Sequence, residues 1–185
     1  MTTHDLHTPV GRRVDQNDLR VVCRPATSSD LPALVGLLEE IMTHHGVNLP
    51  RREDLERTLA EMLAEAEIST RPRYLFLVAE DRGRVIGTCS LIFSLSTWST
   101  GEVCELQDVV VSKDERHAGV GRALLQAATK VARSRGCLRV FLQAEAANLD
   151  AHAFYRSQGF DEKTALHFEH DLSDPGPRGV QTPSD

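Results

Sequence analysis

Long apolar runs are missing from this chain. None approaches the roughly 20 consecutive residues that a membrane-spanning helix needs, so no membrane partner is expected. The opening MTTHDLHTPVGRRVDQND holds no apolar stretch of the secretory kind. Basic charge is in deficit: 21 Lys and Arg stand against 27 Asp and Glu, a formal net charge of -6. Tracking a phosphate backbone needs the opposite balance, so no nucleic-acid partner is expected. The four cysteines, Cys23, Cys89, Cys104 and Cys137, include no CxxC pair, and each falls in or beside an apolar, strand-like segment. That distribution argues against a disulfide framework and against a metal site, and it points to a reducing cytoplasmic compartment. No GK[ST] triplet is present, which removes a nucleotide P-loop.

What remains is ordinary globular material. Hydrophobic residues make up 41% and charged residues 26% of 185 residues, enough for one domain with a real core. Residues 1–19 are polar and aperiodic, and residues 173–185, SDPGPRGVQTPSD, are rich in Pro, Gly and Ser. Both are expected to be flexible segments flanking a domain over residues 20–172. No internal repeat is present.

Within that span the periodicity alternates. RVVCR (Arg20 to Arg24) reads as a strand, and TSSD supplies capping side chains for a helix with Leu31, Leu34, Val35, Leu38, Ile41 and Met42 on one face. A second helix starts near Glu53. RYLFLVAE and VIGTCSLIFSL form a hairpin about Asp81-Arg82-Gly83-Arg84. After STWSTG comes a long strand, Glu102 to Ser112, then a helix ending at Gly136, a suitable C-terminal cap. LRVFLQA is a strand, Asn148 to Gln158 a helix, and TALHFEHDL a last strand. The order β-α-α-β-β-β-α-β-α-β predicts a single α/β domain with a mixed central sheet flanked by helices.

RHAGVGRALL (Arg116 to Leu125) places two glycines where a helix begins. Such a tip carries unpaired N–H groups and partial positive charge. Absent side chains at Gly119 and Gly121 would let an anion, best a pyrophosphate, touch the backbone. On that reading a bulky residue at Gly121 obstructs the anion and leaves the fold largely intact. The bland alternative is a tight turn. A dinucleotide fingerprint would need a third glycine where Leu124 stands, although Glu145 could mimic the ribose-binding acid.

QDVVVSKDERHAGVGRALL resembles the acetyl-CoA motif of the GNAT superfamily of acyl-CoA N-acyltransferases. NLDAHAFYRSQGF (Asn148 to Phe160) resembles its second motif, and the element order from Arg20 to Leu172 matches that fold. The resemblance implies acetyl-CoA as cosubstrate. The backbone of His117, Ala118, Gly119, Val120, Gly121 and Arg122 would hold its pyrophosphate, and Arg116 opens the motif. The strand backbone at Val109, Val110 and Val111 would pair with the pantetheine arm, the strand splaying from its neighbour to admit it. An amide near Val109 would polarise the thioester carbonyl. Asn148 would contact CoA, and Tyr155 would lie near the sulfur as the acid that protonates the leaving thiolate. Glu105 is the candidate base for the amine, sharing a strand face with Gln107.

ELQDVVV also resembles small-molecule members, so the expected acceptor is a small-molecule amine, with a homodimer as the expected assembly. A protein acceptor, a sensor module that binds acyl-CoA without turnover and, remotely, a dinucleotide-binding oxidoreductase are the alternatives. His44 and His45 read as surface residues in a loop that borders acceptor sites in this family. Arg51 and Arg52 read first as a solvated helix start, with help for an anionic substrate as the alternative, and His167 and His170 face opposite sides of the last strand. The cysteines lack a His/Asp signature and read as buried apolar residues.

Overall fold

The computed structural model describes residues 21–46, 48–165 and 168. The elements are β1 (Val22–Pro25), α1 (Leu31–His44), α2 (Arg52–Ile68), β2 (Tyr74–Asp81), β3 (Arg84–Ser96), β4 (Gly101–Val111), α3 (Val120–Arg135), β5 (Val140–Leu142) and α4 (Leu149–Ser157). Short 3-10 turns at Ser28–Asp30 and Lys113–Glu115 lead toward α1 and α3. This is the predicted alternation as far as Phe160. Thr164 and Ala165 are irregular, and the rest of the expected final strand, with His167 and His170, lies outside the described residues apart from Phe168. The segments 1–19 and 173–185 lie outside them too.

The sheet follows chain order, β1-β2-β3-β4-β5. The first three pairings are antiparallel, and β4–β5 is parallel, with α3 as the crossover that a parallel pair requires. Asp81 pairs with Arg84, so the β2–β3 turn is the two residues Arg82 and Gly83, at φ 50 and 79. Positive φ at both central positions matches the turn to the twist of the strands.

Helices cover both faces. Leu34, Val35 and Leu38 of α1, with Leu59 and Leu63 of α2, bury Phe76, Val78 and Val110. Val120, Leu124, Leu125, Ala128 and Ala132 of α3 bury Leu77, Ile86, Cys89, Leu91, Cys104 and Leu106 on the other face. Burial on both sides explains why the central strands read as nearly continuous apolar runs rather than as alternation.

Two guanidinium groups stitch the layers. Arg24 of β1 grips Asp30 at 2.7 and 2.9 Å and Glu80 of β2 at 2.9 Å. Arg135, at the end of α3, binds Glu102 of β4 with two bonds of 2.9 Å and lies 3.8 Å over the Phe93 ring.

Candidate functional site

β4 and β5 pair over only three residues each, Cys104–Leu106 against Val140–Leu142. β5 then ends while β4 continues to Val111, so the two diverge from Gln107 onward. β4 also carries a bulge there. Ser90 pairs with Gln107 and Thr88 with Val110, so Cys89 stands opposite both Asp108 and Val109. The extra residue is Asp108, held at φ 48. It resets the alternation: Leu106 and, two residues past Gln107, Val109 both pack on the α3 side, while Val110 packs under α1 and α2.

The divergence opens a cleft of about 380 Å³. Ile41 and Met42 of α1, with His45 just past its end, form one wall. Leu106 to Val109 form the second, Leu142 to Glu145 the third, and Asn148, Ala151 and Tyr155 the fourth. Another hollow, of about 410 Å³, lies between α3 and the turn after α4, around Lys130, Arg133 and Gln158. It has no residue of β4 or β5 in its lining, so the two signature segments of the sequence meet at the cleft instead.

The tip of α3 follows the end of β4. The first intrahelical bond there runs from Ala123 N–H to Gly119 O, 3.0 Å, so the N–H groups of Val120, Gly121 and Arg122 have no helix carbonyl. The sequence alone gives both glycines one task, and the structure separates them. Gly119 caps the helix at φ 89 with open space where a side chain would be. A Cβ on Gly121 would instead lie 3.2 Å from Phe154 Cζ. Its missing side chain leaves room for the Phe154 ring of α4, so a bulky residue there would press on that ring as well as on any ligand at the helix tip.

Arg116 has a structural occupation. Its Nε donates to Val111 O at 3.2 Å and its Nη2 to Glu40 Oε1 at 3.2 Å, while Lys113 N–H donates to the same oxygen at 2.9 Å. Glu40 of α1 thereby fixes the loop between β4 and α3, in which His117 sits at φ 63.

Asn148 starts α4 as its N-cap, the Oδ1 accepting from Ala151 N–H at 3.1 Å. The Tyr155 ring lies 5.3 Å from that of Phe154 and 6.0 Å from that of Phe160. Burial pushes its phenol above the usual value. Asp108 opens onto the cleft, but the strands close around it elsewhere. Burial therefore pushes its carboxyl above the ordinary carboxylate range, partly opposed by the hydrogen bond from Ser90 Oγ at 3.1 Å. Glu105 and Gln107 do share a strand face, with Gln107 Nε2 donating to Glu105 Oε1 at 3.1 Å. Only Gln107 of that pair lines the cleft.

The structure thus brings Val109, Asn148 and Tyr155 into one lining, and leaves Glu105 beside it. It adds three groups to the lining, of which sequence reasoning passed over the first and read the other two as a surface histidine and a possible ribose-binding acid. Asp108 is the first; its only sequence signal was an aspartate in the middle of a strand, a poor β-former. The others are His45 and Glu145, whose Nδ1 and Oε1 meet at 3.6 Å across the cleft. His45 is exposed, as the sequence suggests, and also lines the cleft. All four cysteines are free thiols. Burial pushes Cys104 up to about 12 and Cys89 higher still, so neither offers thiolate for covalent chemistry. Among the described residues no group of His, Cys, Asp and Glu has the makings of a metal site.

A strand with a bulge, splayed from its parallel neighbour and followed by a glycine-capped helix, defines a class. The family model for the Acetyltransferase (GNAT) family matches residues 34–160, and the chain belongs to that family. It is 32% identical over 144 residues to the glucosamine 6-phosphate N-acetyltransferase of Trypanosoma brucei brucei, covering 77% of this chain and 88% of that one. Among solved structures, a Trypanosoma brucei acetyltransferase superposes with a TM-score of 0.63 at 26% identity, over 82% of this chain and 99% of that one. An aminoglycoside acetyltransferase from an uncultured soil metagenomic sample, crystallised with trehalose, superposes with a TM-score of 0.69 over 86% of this chain and 100% of that one. At 20% identity it shows the fold alone. The dinucleotide reading is set aside by the family, and Glu145 turns toward His45.

Proposed function

We propose that this chain transfers an acetyl group from acetyl-CoA directly to a small-molecule amine in the β4–β5 cleft, with Asp108 as base and Tyr155 as acid. The observation that carries the proposal is that a carboxyl, a half-buried phenol and the strand edge left by β5 share one lining. Acetyl-CoA supplies an activated acyl group as a thioester. The free edge of β4 at Val109, Val110 and Val111 fits an extended amide-bearing arm, and the amides from His117 to Arg122 at the tip of α3 fit a pyrophosphate. Arg116 acts on that ligand through the loop it holds, and Asn148 through the start of α4.

The chain's own groups then divide the proton traffic. Asp108 accepts a proton from the ammonium, freeing the nitrogen lone pair to attack the carbonyl carbon. Its raised carboxyl suits this, because a base is most effective when its pKa approaches the working pH. Val109 N–H donates toward the carbonyl oxygen as negative charge grows there. As the carbon–nitrogen bond forms and the carbon–sulfur bond breaks, Tyr155 gives its proton to the departing sulfur. Glu105 orients Gln107 at the margin of the cleft. The named sugar-amine acetyltransferase among the relatives supports a small acceptor. Free cysteines fit a reducing cytoplasm, residues 20–172 form the catalytic unit, and a homodimer is the expected assembly, open to light scattering. The test is thiol release from acetyl-CoA against an amine panel. Acetyl-CoA binding with no thiol release for any amine or peptide would instead mark a sensor.

A further inference from the structure

The cleft carries more negative charge than proton transfer requires. Asp108 and Glu145 stand on its second and third walls, and Glu105 adjoins it through Gln107. Among the described residues, neither Glu105 nor Asp108 forms an ion pair with Lys or Arg, and Glu145 meets only His45. The guanidinium groups on the α1–α2 side are already committed. Arg51 and Arg57 bind Asp54, Arg52 binds Glu39 and Glu56, and Arg116 binds Glu40. The described lining itself contains carboxylates, amides, a phenol and one imidazole, with no Lys or Arg.

A concave surface of one sign concentrates the opposite charge. An acceptor bearing a phosphate would meet Glu145 and Glu105 with no Lys or Arg among the described lining residues to hold it. A monoamine would be attracted, but it loses its only charge when Asp108 takes the proton. An acceptor with a second ammonium keeps one charge throughout the reaction, and so keeps its hold on the cleft in the transition state.

We infer that the acceptor is a small oligoamine without phosphate, its reacting nitrogen directed to Asp108 and a second, still protonated nitrogen to Glu145 in place of His45. The inference rests on the acetyltransferase reading above. It separates this chain from the relative named for glucosamine 6-phosphate.

The experiment compares thiol release with putrescine and spermidine against butylamine, glucosamine and glucosamine 6-phosphate. Putrescine should exceed butylamine by about tenfold in kcat/KM, the worth of one retained charge contact, and glucosamine should exceed its phosphate. In Glu145→Gln the putrescine-to-butylamine ratio should collapse toward unity. Calorimetric titration of putrescine into the CoA-loaded protein should weaken in the same variant and with added salt. A preference for the phosphorylated sugar, or a ratio unmoved by Glu145→Gln, overturns the inference while the acetyltransferase reading stands. Thiol release with none of the amines overturns it as well. Whether acetyl-CoA still binds then tells a wrong acceptor class from a wrong reading of the site.

Discussion

Gly121→Val perturbs a contact between the two signature segments, that of Gly121 with Phe154. The added Cβ would sit 3.2 Å from Phe154 Cζ and 3.8 Å from Cε1 and Cε2, and valine adds two carbons beyond it. α4 must shift, or the ring must leave its rotamer. Overpacking of this kind costs about 1–3 kcal/mol. For a chain of this size that is a fall in melting temperature of roughly 3–10 °C. The damage also reaches the cleft, because Tyr155 follows Phe154 on the same helix, so acetyl-CoA affinity should drop alongside stability. Gly121→Ala should do less. The ring need give only a few tenths of an ångström, and alanine gains about 1 kcal/mol of helix propensity over glycine. The assay is thermal unfolding with calorimetric titration of acetyl-CoA, for each variant alone and combined with Phe154→Leu, which removes the obstacle. The combination should recover much of the stability and the affinity. A Gly121→Val protein that melts like wild type yet binds acetyl-CoA more weakly would refute the reasoning. So would affinity that stays lost in the double variant after stability returns. Either result would mean the side chain meets the anion, not α4.

Three further outcomes follow from named contacts. Gly119→Ala places a side chain at φ 89 and should cost about 1–2 kcal/mol in a denaturant titration, for conformational reasons alone, since the space is open. Hydrogen bonds from Arg24 hold the buried Asp30 carboxyl below its ordinary range. Its contribution is therefore fully present above the ordinary carboxylate value of about 3.9 and is lost as pH falls through the lowered folded value. Asp30→Asn should cost about 1–3 kcal/mol at neutral pH, and its stability gap to wild type should close on acidification. Asp108 carries the opposite sign. Burial raises its folded value, so ionising it opposes folding as pH rises from the ordinary carboxylate value through the raised one. Asp108→Asn should melt higher than wild type at neutral pH and lose that advantage in acid, as expected of a group retained for function.

Local rules carried much of the fold. The Asp81–Arg84 turn, the glycine that closes α3 at φ 84 and the shared face of Glu105 and Gln107 each depend on neighbours in sequence. The cleft depends on counts across strands. The bulge exists because β3 spends one residue where β4 spends two, and no periodicity in ELQDVVV reports that difference. The same bulge decides which carboxylate lines the cleft, whereas the family resemblance points to Glu105, eleven residues before Arg116, and does not report the bulge. Gly121 carries a second constraint that the sequence does not show, because its contact, Phe154, lies on another helix. His45 is exposed as its loop position suggests, but Glu145 also approaches it from the far side of the cleft. In each case the residue type was legible and its partner was not.

Turnover against pH, for wild type, Asp108→Asn, Glu105→Gln and Tyr155→Phe on one accepted amine, tests the site most directly. Asp108→Asn should fall by roughly 10²-fold near neutral pH and recover as pH rises, because more of the amine is then already deprotonated. Tyr155→Phe should be slow at every pH, and Glu105→Gln should keep the wild-type profile. An Asp108→Asn enzyme with the wild-type profile, beside a Glu105→Gln enzyme that fails at neutral pH and recovers in alkali, would contradict the account and return the base to Glu105.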